Sequence, residues 1–121
     1  MNLIVLITEK TENVLLVGQA WRGAGAPGVT IIPAHGLYKL ESRVRESFGD
    51  LVDNMGSAVL AMTAVIQGIP ETAVMLLTVA PDEAVDNIIN ASNEIIGDLY
   101  QEHTGVLFVL DVKRTQGIRG H

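Results

Sequence analysis

Hydrophobic positions repeat in two similar blocks that bracket the chain. In the first block an apolar run at residues 3–7 precedes an amphipathic stretch and a second apolar run at 29–32. In the second block the run 73–79 precedes another amphipathic stretch and the run 106–112. Short apolar runs separated by a segment of helical period are typical of strand–helix–strand units. Two such units predict a ferredoxin-like βαββαβ sandwich, an α+β fold with two helices on one face of an antiparallel sheet.

Amphipathic stretches inside the two blocks predict the helices of this fold. In the first, Val17 and Trp21 recur at helical spacing before the segment 23–28, whose glycines and proline end the helix. In the second, Pro81 is predicted to be the first helical residue and Gly97 the cap after the last turn. The apolar runs predict strands over residues 2–8, 29–34, 72–79 and 105–112.

The segment between the two blocks fits neither repeat. Residues 40–55 carry apolar side chains at helical spacing and predict a partly helical connection. Residues 58–67 form an apolar run that fits a strand or a helix, because periodicity does not decide over so short a stretch. We therefore expect one domain over residues 1–121, with residues 38–70 as a long insertion. Connections of this length are usually functional or mobile.

Composition narrows the classes of function. The 121 residues suit one domain, and 48% of them are hydrophobic whereas only 18% are charged. A surface with so little charge favours an oligomer that buries part of it. The net charge of −6 argues against a nucleic-acid partner, because phosphate binding needs clustered lysine and arginine side chains.

Two absences from the sequence narrow the classes further. The chain has no cysteine, so it has no disulfide framework and no thiolate metal site. Its apolar runs are too short for a signal peptide or a membrane span. We therefore expect a cytoplasmic protein with no direct insertion into a membrane.

Three stretches resemble the nitrogen-regulatory PII signalling family and its PII-like relatives. Residues 24–32 read AGAPGVTII, where the family has an A-G-x-x-G-x-T strand, and PAHGL follows at 33–37, where its long T-loop begins. Residues 81–105 are similar to the helix and the glycine-containing B-loop, and 106–112 to the last strand with basic residues after it. The chain resembles a divergent member of the family over most of its length outside residues 38–70.

This resemblance implies a regulatory protein and not an enzyme. Family members form trimers of ferredoxin-like subunits and bind adenine nucleotides in the clefts between neighbours. Their T-loop changes shape with the ligand and docks onto a protein partner, often a transporter, channel or enzyme. By resemblance we expect a homotrimer that binds a small anionic effector, with an adenine nucleotide as the first candidate. Residues 38–70 would then contact the protein target, in the manner of a two-state loop biased by its ligand.

The same resemblance supplies candidate effector-binding residues. Thr30 matches a strand residue near the adenine, and Gly36 matches the base of the T-loop. Gly97 falls near the B-loop, which cradles phosphates with backbone amides. Lys113 and Arg114 fall where the family keeps basic residues that face phosphate. The full candidate set is Thr30, His35, Gly36, Leu37, Gly97, Asp98, Lys113 and Arg114.

One departure from the family pattern bears on the identity of the ligand. The family's B-loop reads roughly T-G-x-I-G-D-G-K before the last strand, whereas residues 96–105 here read IGDLYQEHTG. The phosphate-binding lysine is absent, and Glu102 adds a negative charge nearby. The sequence therefore favours a ligand that differs from ATP bound in the family's usual way.

Two other functions stay open at the level of the sequence. An adaptor of the same fold would use the apolar residues 58–66 for association and bind no ligand. A metal-binding relative would need His35 and His103 to meet across a cleft, although their spacing matches no standard zinc pattern. The sequence has no nucleophile elbow and no Walker or Rossmann glycine loop, so it indicates no catalytic site.

Overall fold

The structure is a computed structural model that describes residues 1–54, 56–66, 68, 73–101 and 104–118. Within these residues the strands are β1 (Asn2–Thr8), β2 (Thr30–Ala34), β3 (Ala73–Ala80) and β4 (Gly105–Asp111). The α-helices are α1 (Val14–Gly23), α2 (Leu37–Phe48), α3 (Ser57–Ile66) and α4 (Asp82–Ile96). Short 3-10 segments cover Thr11–Asn13 and Gly49–Asn54.

The strands form one antiparallel sheet in the order β2-β3-β1-β4. Asn2 of β1 lies opposite Ala80 of β3 and Asp111 of β4. At the other end of β1, Thr8 lies opposite Gly105. Each strand–helix–strand unit therefore contributes one central and one edge strand, which is the arrangement of a ferredoxin-like sandwich. The fold class predicted from the sequence is confirmed.

The chain divides into two compact units. The first unit, Met1–Pro33 with Val74–His121, contains α1, α4 and nearly all of the sheet. The second unit, Ala34–Ala73, contains α2 and α3. The organisation as a single domain with an insertion stays a prediction.

The main core lies between the sheet and the helices α1 and α4. Alternate side chains of β1, such as Ile4 and Leu6, are completely buried on this face, as the pleat of a half-covered strand requires. Trp21 of α1 is also completely buried, and its spacing from Val17 gives the helix its apolar stripe. The buried hydrophobic residues of this core are Ile4, Leu6, Val14, Val17, Trp21, Ala26, Leu76, Ala80, Ala84, Ile88 and Ile96.

The other face of the sheet carries a continuous apolar surface, because α1 and α4 both pack on the core face. Paired positions of an antiparallel ladder share a face, so Val5 lies beside Phe108 on this side. Phe108 and Leu110 are 49% and 48% exposed. We call this surface the open sheet face; from β1, β3 and β4 it comprises Leu3, Val5, Ile7, Met75, Leu77, Val79, Val106, Phe108 and Leu110.

The second unit is a helical hairpin with a small core of its own. Leu40 and Val44 of α2 are buried against Leu60 of α3, and the partly buried Phe48 packs beside them. The apolar run that fitted either a strand or a helix is therefore a helix over the described part of 58–67, because one of its faces completes this core. The predicted helical character of the connection is present in α2, which begins three residues before Leu40.

Two predicted helix ends agree closely with the structure. Gly97 caps α4 with φ of 98°, a conformation that glycine adopts readily. Pro81 precedes α4 as its N-cap instead of opening it, because its ψ of 159° is extended. Among the described residues no helix combines the length and the apolar character needed to cross a bilayer.

Candidate functional site

Thr30 begins β2 and points its exposed side chain into a cavity of about 310 Å³. The walls come from the open sheet face and from the segment that follows β4. We call this the tail cavity; its lining includes Leu3, Gly28, Thr30, Leu77, Val79 and Ile118. It combines an apolar floor with the exposed hydroxyl of Thr30, which is the composition of many small-molecule sites.

Hydrogen bonds fix the backbone beside the tail cavity. The Thr78 hydroxyl donates to the carbonyl oxygen of Gly28 at 2.6 Å. The amide of Ala26 donates to the carbonyl oxygen of Trp21 at 3.0 Å, and Trp21 itself is completely buried. The turn that leads from α1 into β2 is therefore held by the core, and Thr30 leaves it in a fixed direction.

Lys113 and Arg114 follow β4 at the same end of the sheet as Thr30, and both are exposed. The amide of Val112 donates to the carbonyl oxygen of Met1 at 3.0 Å, which fixes the point where this tail leaves the sheet. The tail then returns to the sheet, because Ile118 lines the tail cavity. Two cations therefore lie in a short loop that is tied to the protein at both ends.

Gly97 and Asp98 follow α4 at the opposite end of the sheet. The amide of Gly97 donates to the carbonyl oxygen of Asn93 at 2.9 Å, which closes the last turn of the helix. A carboxylate oxygen of Asp98 accepts a hydrogen bond from the amide of Tyr100 at 2.9 Å, so the side chain shapes the loop. A second cavity, of about 340 Å³, lies beside this loop and is also lined by Asn93 and Leu107.

These two groups of candidate residues do not meet within one chain. The β1–β4 register places Gly105 beside Thr8 and Asp111 beside Asn2, at opposite ends of the sheet. Seven residues of β4 separate the loop at Gly97 from the tail at Lys113. A strand of this length spans about 20 Å. One bound nucleotide cannot bridge that distance along a single subunit and contact both groups.

His35, Gly36 and Leu37 belong to the helical unit. Gly36 is the N-cap of α2 with φ of −73°, so the site does not need the positive φ that glycine permits. Leu37 is 51% exposed. The Nδ1 atom of His35 is buried and has no hydrogen-bond partner among the described residues.

A family model decides the relationship of this chain to known proteins. The model of the nitrogen regulatory protein P-II family matches residues 1–121. The chain belongs to the P-II family. The resemblance stated from the sequence is therefore confirmed, and the family match extends beyond it to include residues 38–70.

A solved structure gives the P-II chain a neighbour of the same fold. It is CPII, a nitrogen regulatory PII-like protein from Thiomonas intermedia K12 bound to ADP, AMP and bicarbonate. The two share 16% sequence identity with a TM-score of 0.52, over 95% of this chain and 90% of CPII. At this identity the likeness shows the fold alone. No curated protein sequence matches the chain significantly.

The described residues of the P-II chain contain no group of three histidine, cysteine, aspartate or glutamate side chains that could hold a metal ion. His103, the predicted partner of His35 in such a site, lies outside the described residues. Glu102 does as well. The metal-binding alternative stays a prediction.

Sequence reasoning missed the apolar part of the tail cavity. Leu77 and Val79 of β3 are two residues apart and so share the face on which Thr30 lies. Their alternation with the buried Leu76 and Thr78 was a readable signal. The return of Ile118 to the sheet had a weaker signal, the glycine directly before it.

Proposed function

We propose that this chain is a cytoplasmic P-II signalling protein that binds an adenine nucleotide, or an effector of similar chemistry, and relays its presence to a protein partner. The observation that carries the proposal is the tail cavity. Its apolar walls suit the faces of a purine, the Thr30 hydroxyl can hydrogen-bond its edge, and Lys113 with Arg114 supplies charge for phosphates. CPII, which has the same fold, carries ADP and AMP.

We propose that the complete site is formed between two subunits of a homotrimer. Members of the family are typically trimers. The open sheet face supports assembly, because soluble proteins rarely leave so continuous an apolar surface bare. The distance of about 20 Å along β4 supports a shared site, since only a second subunit can bring a Gly97 loop to the tail of the first.

The missing B-loop lysine changes how phosphates would be bound. In this proposal the loop at Gly97 and Asp98 offers backbone amides, and the neutralising charge comes from Lys113 and Arg114 of the adjoining subunit. Charge-assisted hydrogen bonds of this kind are about twice as strong as neutral ones. The ligand would therefore depend on the tail more than in members that keep the lysine.

The helical unit is the proposed contact surface for a protein target. On α3 the side chains of Val59, Met62 and Val65 are 50%, 64% and 79% exposed. They recur at every third position and so share one side of the helix, opposite the buried Leu60. Hydrogen exchange of residues 37–66 with and without nucleotide tests the relay. A sensor changes protection there on binding, and an unchanged pattern contradicts it.

Calorimetry on the purified oligomer tests ligand binding itself. ATP, ADP, AMP and cyclic dinucleotides are titrated into the unmodified protein and into the double variant Lys113→Ala/Arg114→Ala. We expect saturable binding of at least one adenine nucleotide, weakened about 10–100-fold by the double variant. Arg43→Ala, which removes an exposed cation of α2, is the matched control and should bind normally. No heat from any of these ligands would contradict the proposed function.

A further inference from the structure

Residues 112–118, which follow β4, form a loop that returns toward the sheet. At its start the amide of Val112 donates to the carbonyl oxygen of Met1 at 3.0 Å. Near its end Gly117 has φ of 90°, a left-handed conformation that turns the chain back toward the sheet. An alanine Cβ at Gly117 would meet no atom within 4 Å, so this position needs glycine for its backbone and not for space.

Ile118 directly follows this turn, and its side chain lies against the surface of the protein. It lines the tail cavity on one side and, on the other, a cavity of about 340 Å³ that also contacts Arg22 and Pro81. Pro27 lines both cavities, so Ile118 lies beside it between the two. Ile118 is 44% exposed and is not a member of the main core.

Hydrogen bonds hold the backbone on both sides of Pro27, the residue beside Ile118. Pro27 lies between Ala26, whose amide bonds to the carbonyl oxygen of the buried Trp21, and Gly28, whose carbonyl accepts from Thr78. The two hydrogen bonds connect the neighbours of Pro27 to buried residues of the protein, so Ile118 lies beside a backbone segment whose position is fixed. The loop 112–118 therefore has an attachment at its far end, although its residues 113–118 are exposed.

We propose that Ile118 is a positioning residue that holds Lys113 and Arg114 ready for the phosphates of the bound effector. The inference rests on the proposed nucleotide function, because it assigns those two cations a ligand. A loop tied at one end only would have to order both long side chains and their backbone when the ligand binds, which weakens binding. Anchoring Ile118 against Pro27 orders the loop beforehand.

Two variants remove the anchor by different routes. Ile118→Ser deletes the apolar contact, and Gly117→Ala disfavours the left-handed turn that delivers it. Ile118→Val keeps a branched apolar side chain and should restore the behaviour of the unmodified protein. Gln116→Ala, in the same exposed loop, is the matched control. None of these positions belongs to the main core, so the variants should keep the trimer mass and the unfolding temperature.

The test measures affinity for ADP and for adenosine by calorimetry, together with hydrogen exchange of residues 112–118. We expect Ile118→Ser and Gly117→Ala to weaken ADP binding about tenfold and to speed exchange in the loop. Adenosine binding should weaken by clearly less than ADP binding, because adenosine has no phosphate for the two cations and loses only the wall contact of Ile118. In the Lys113→Ala/Arg114→Ala background Ile118→Ser should have no further effect on ADP.

The outcomes separate this inference from the proposed function. Equal weakening of ADP and adenosine binding would make Ile118 only a wall of the base pocket. A further loss of ADP affinity in the Lys113→Ala/Arg114→Ala background would show that Ile118 acts independently of the cations. Either result overturns this inference and leaves the proposed nucleotide function standing. Unchanged exchange in Ile118→Ser would show that it anchors nothing. Failure of the unmodified protein to bind any adenine nucleotide overturns both proposals, whatever the exchange shows.

Discussion

Trp21 and Ser92 join the two helices of the main core through one buried hydrogen bond. The indole Nε1 of Trp21 donates to the Ser92 hydroxyl at 2.8 Å, and both residues are completely buried. The same hydroxyl donates to the carbonyl oxygen of Ile88 at 2.9 Å, so its proton and a lone pair are both used. Ser92 is thus a polar residue that the core requires, since its hydroxyl accepts the hydrogen bond of the buried indole N–H of Trp21, the only tryptophan in the sequence.

Replacing Ser92 with alanine should destabilise the protein without changing its fold. The buried indole N–H is left without a partner, which costs about 1–3 kcal/mol. Urea unfolding followed by the fluorescence of Trp21 gives the change in the free energy of unfolding directly. Ser42→Ala, at an exposed position of α2, is the matched control and should change it by less than about 0.5 kcal/mol. An equally small change for both variants would contradict the assigned role.

The helix ends, the strands and the order of the elements were predictable, because at these positions the hydrophobic pattern and the capping residues in the sequence agree with the observed burial. The hydrophobic period over 2–8 and 82–96 coincides with β1 and α4 almost to the residue. The Trp21–Ser92 bond was not predictable, because it joins positions 71 residues apart and serine at helical spacing has no preferred partner. The sequence of the run 58–67 could not show whether it forms a strand or a helix. Its helical structure is stabilised by the packing of Leu60 against α2, and that contact is not visible in the run itself.

The candidate site was predictable only through family resemblance. Thr30 alone reads as an ordinary strand residue, because threonine favours strands. Its neighbours in the tail cavity come from β3 and from the C-terminal loop, and contacts so distant in sequence leave no local pattern. The separation of Gly97 from Lys113 follows from the register of β4 and could not be read before the strand order was known.

Gly105→Ala should be strongly destabilising. At Gly105 φ is 156°, and a Cβ would lie 2.6 Å from the carbonyl oxygen of Ile7 in the neighbouring strand. The neighbouring backbone can move away only by disturbing the pairing of the two strands. We therefore expect a loss of about 1–3 kcal/mol in the free energy of unfolding. Gly23→Ala is the control, because that position ends α1 with no atom within 4 Å of the added carbon. Thermal unfolding that ranks the two variants in the reverse order would refute the close approach.

The ion pair of the helical unit should respond to acid. Arg45 donates to the Asp53 carboxylate at 2.6 Å, and this hydrogen bond and charge hold the pKa of Asp53 below the usual range of an aspartate. A lowered pKa in the folded state contributes stability above the unfolded pKa, and that contribution disappears as pH falls through the folded pKa. The pair is exposed, so the effect on stability is small.

A carboxyl titration by NMR checks this pair without relying on stability. In Arg45→Gln the pKa of Asp53 should rise toward the usual aspartate value, whereas in Arg43→Gln, an exposed cation on the same helix, it should stay low. A pKa of Asp53 that does not respond to Arg45→Gln would show that the pair is not formed in solution.

A charge on the open sheet face should prevent assembly. Phe108 is 49% exposed in one chain, and in the proposed trimer it lies at a subunit contact. Phe108→Asp would place an uncompensated charge in an apolar interface, which is strongly unfavourable. Light scattering should give about three times 13.0 kDa for the unmodified protein and a lower mass for the variant. Leu16→Asp, an equally exposed apolar position on α1, should keep the trimer mass. A trimer that survives Phe108→Asp places the interface elsewhere.

The most direct test of the account is subunit mixing, because its central claim is a site shared by two chains. One variant, Gly97→Val, disturbs the loop after α4; the other, Lys113→Ala/Arg114→Ala, removes the cations of the tail. Each alone should bind ADP at least about tenfold more weakly than the unmodified protein in calorimetry. Trimers refolded from a mixture contain some contacts with an intact loop facing an intact tail, so the account predicts that ADP binding returns at a fraction of the sites. A mixture as inactive as its two parents would contradict it.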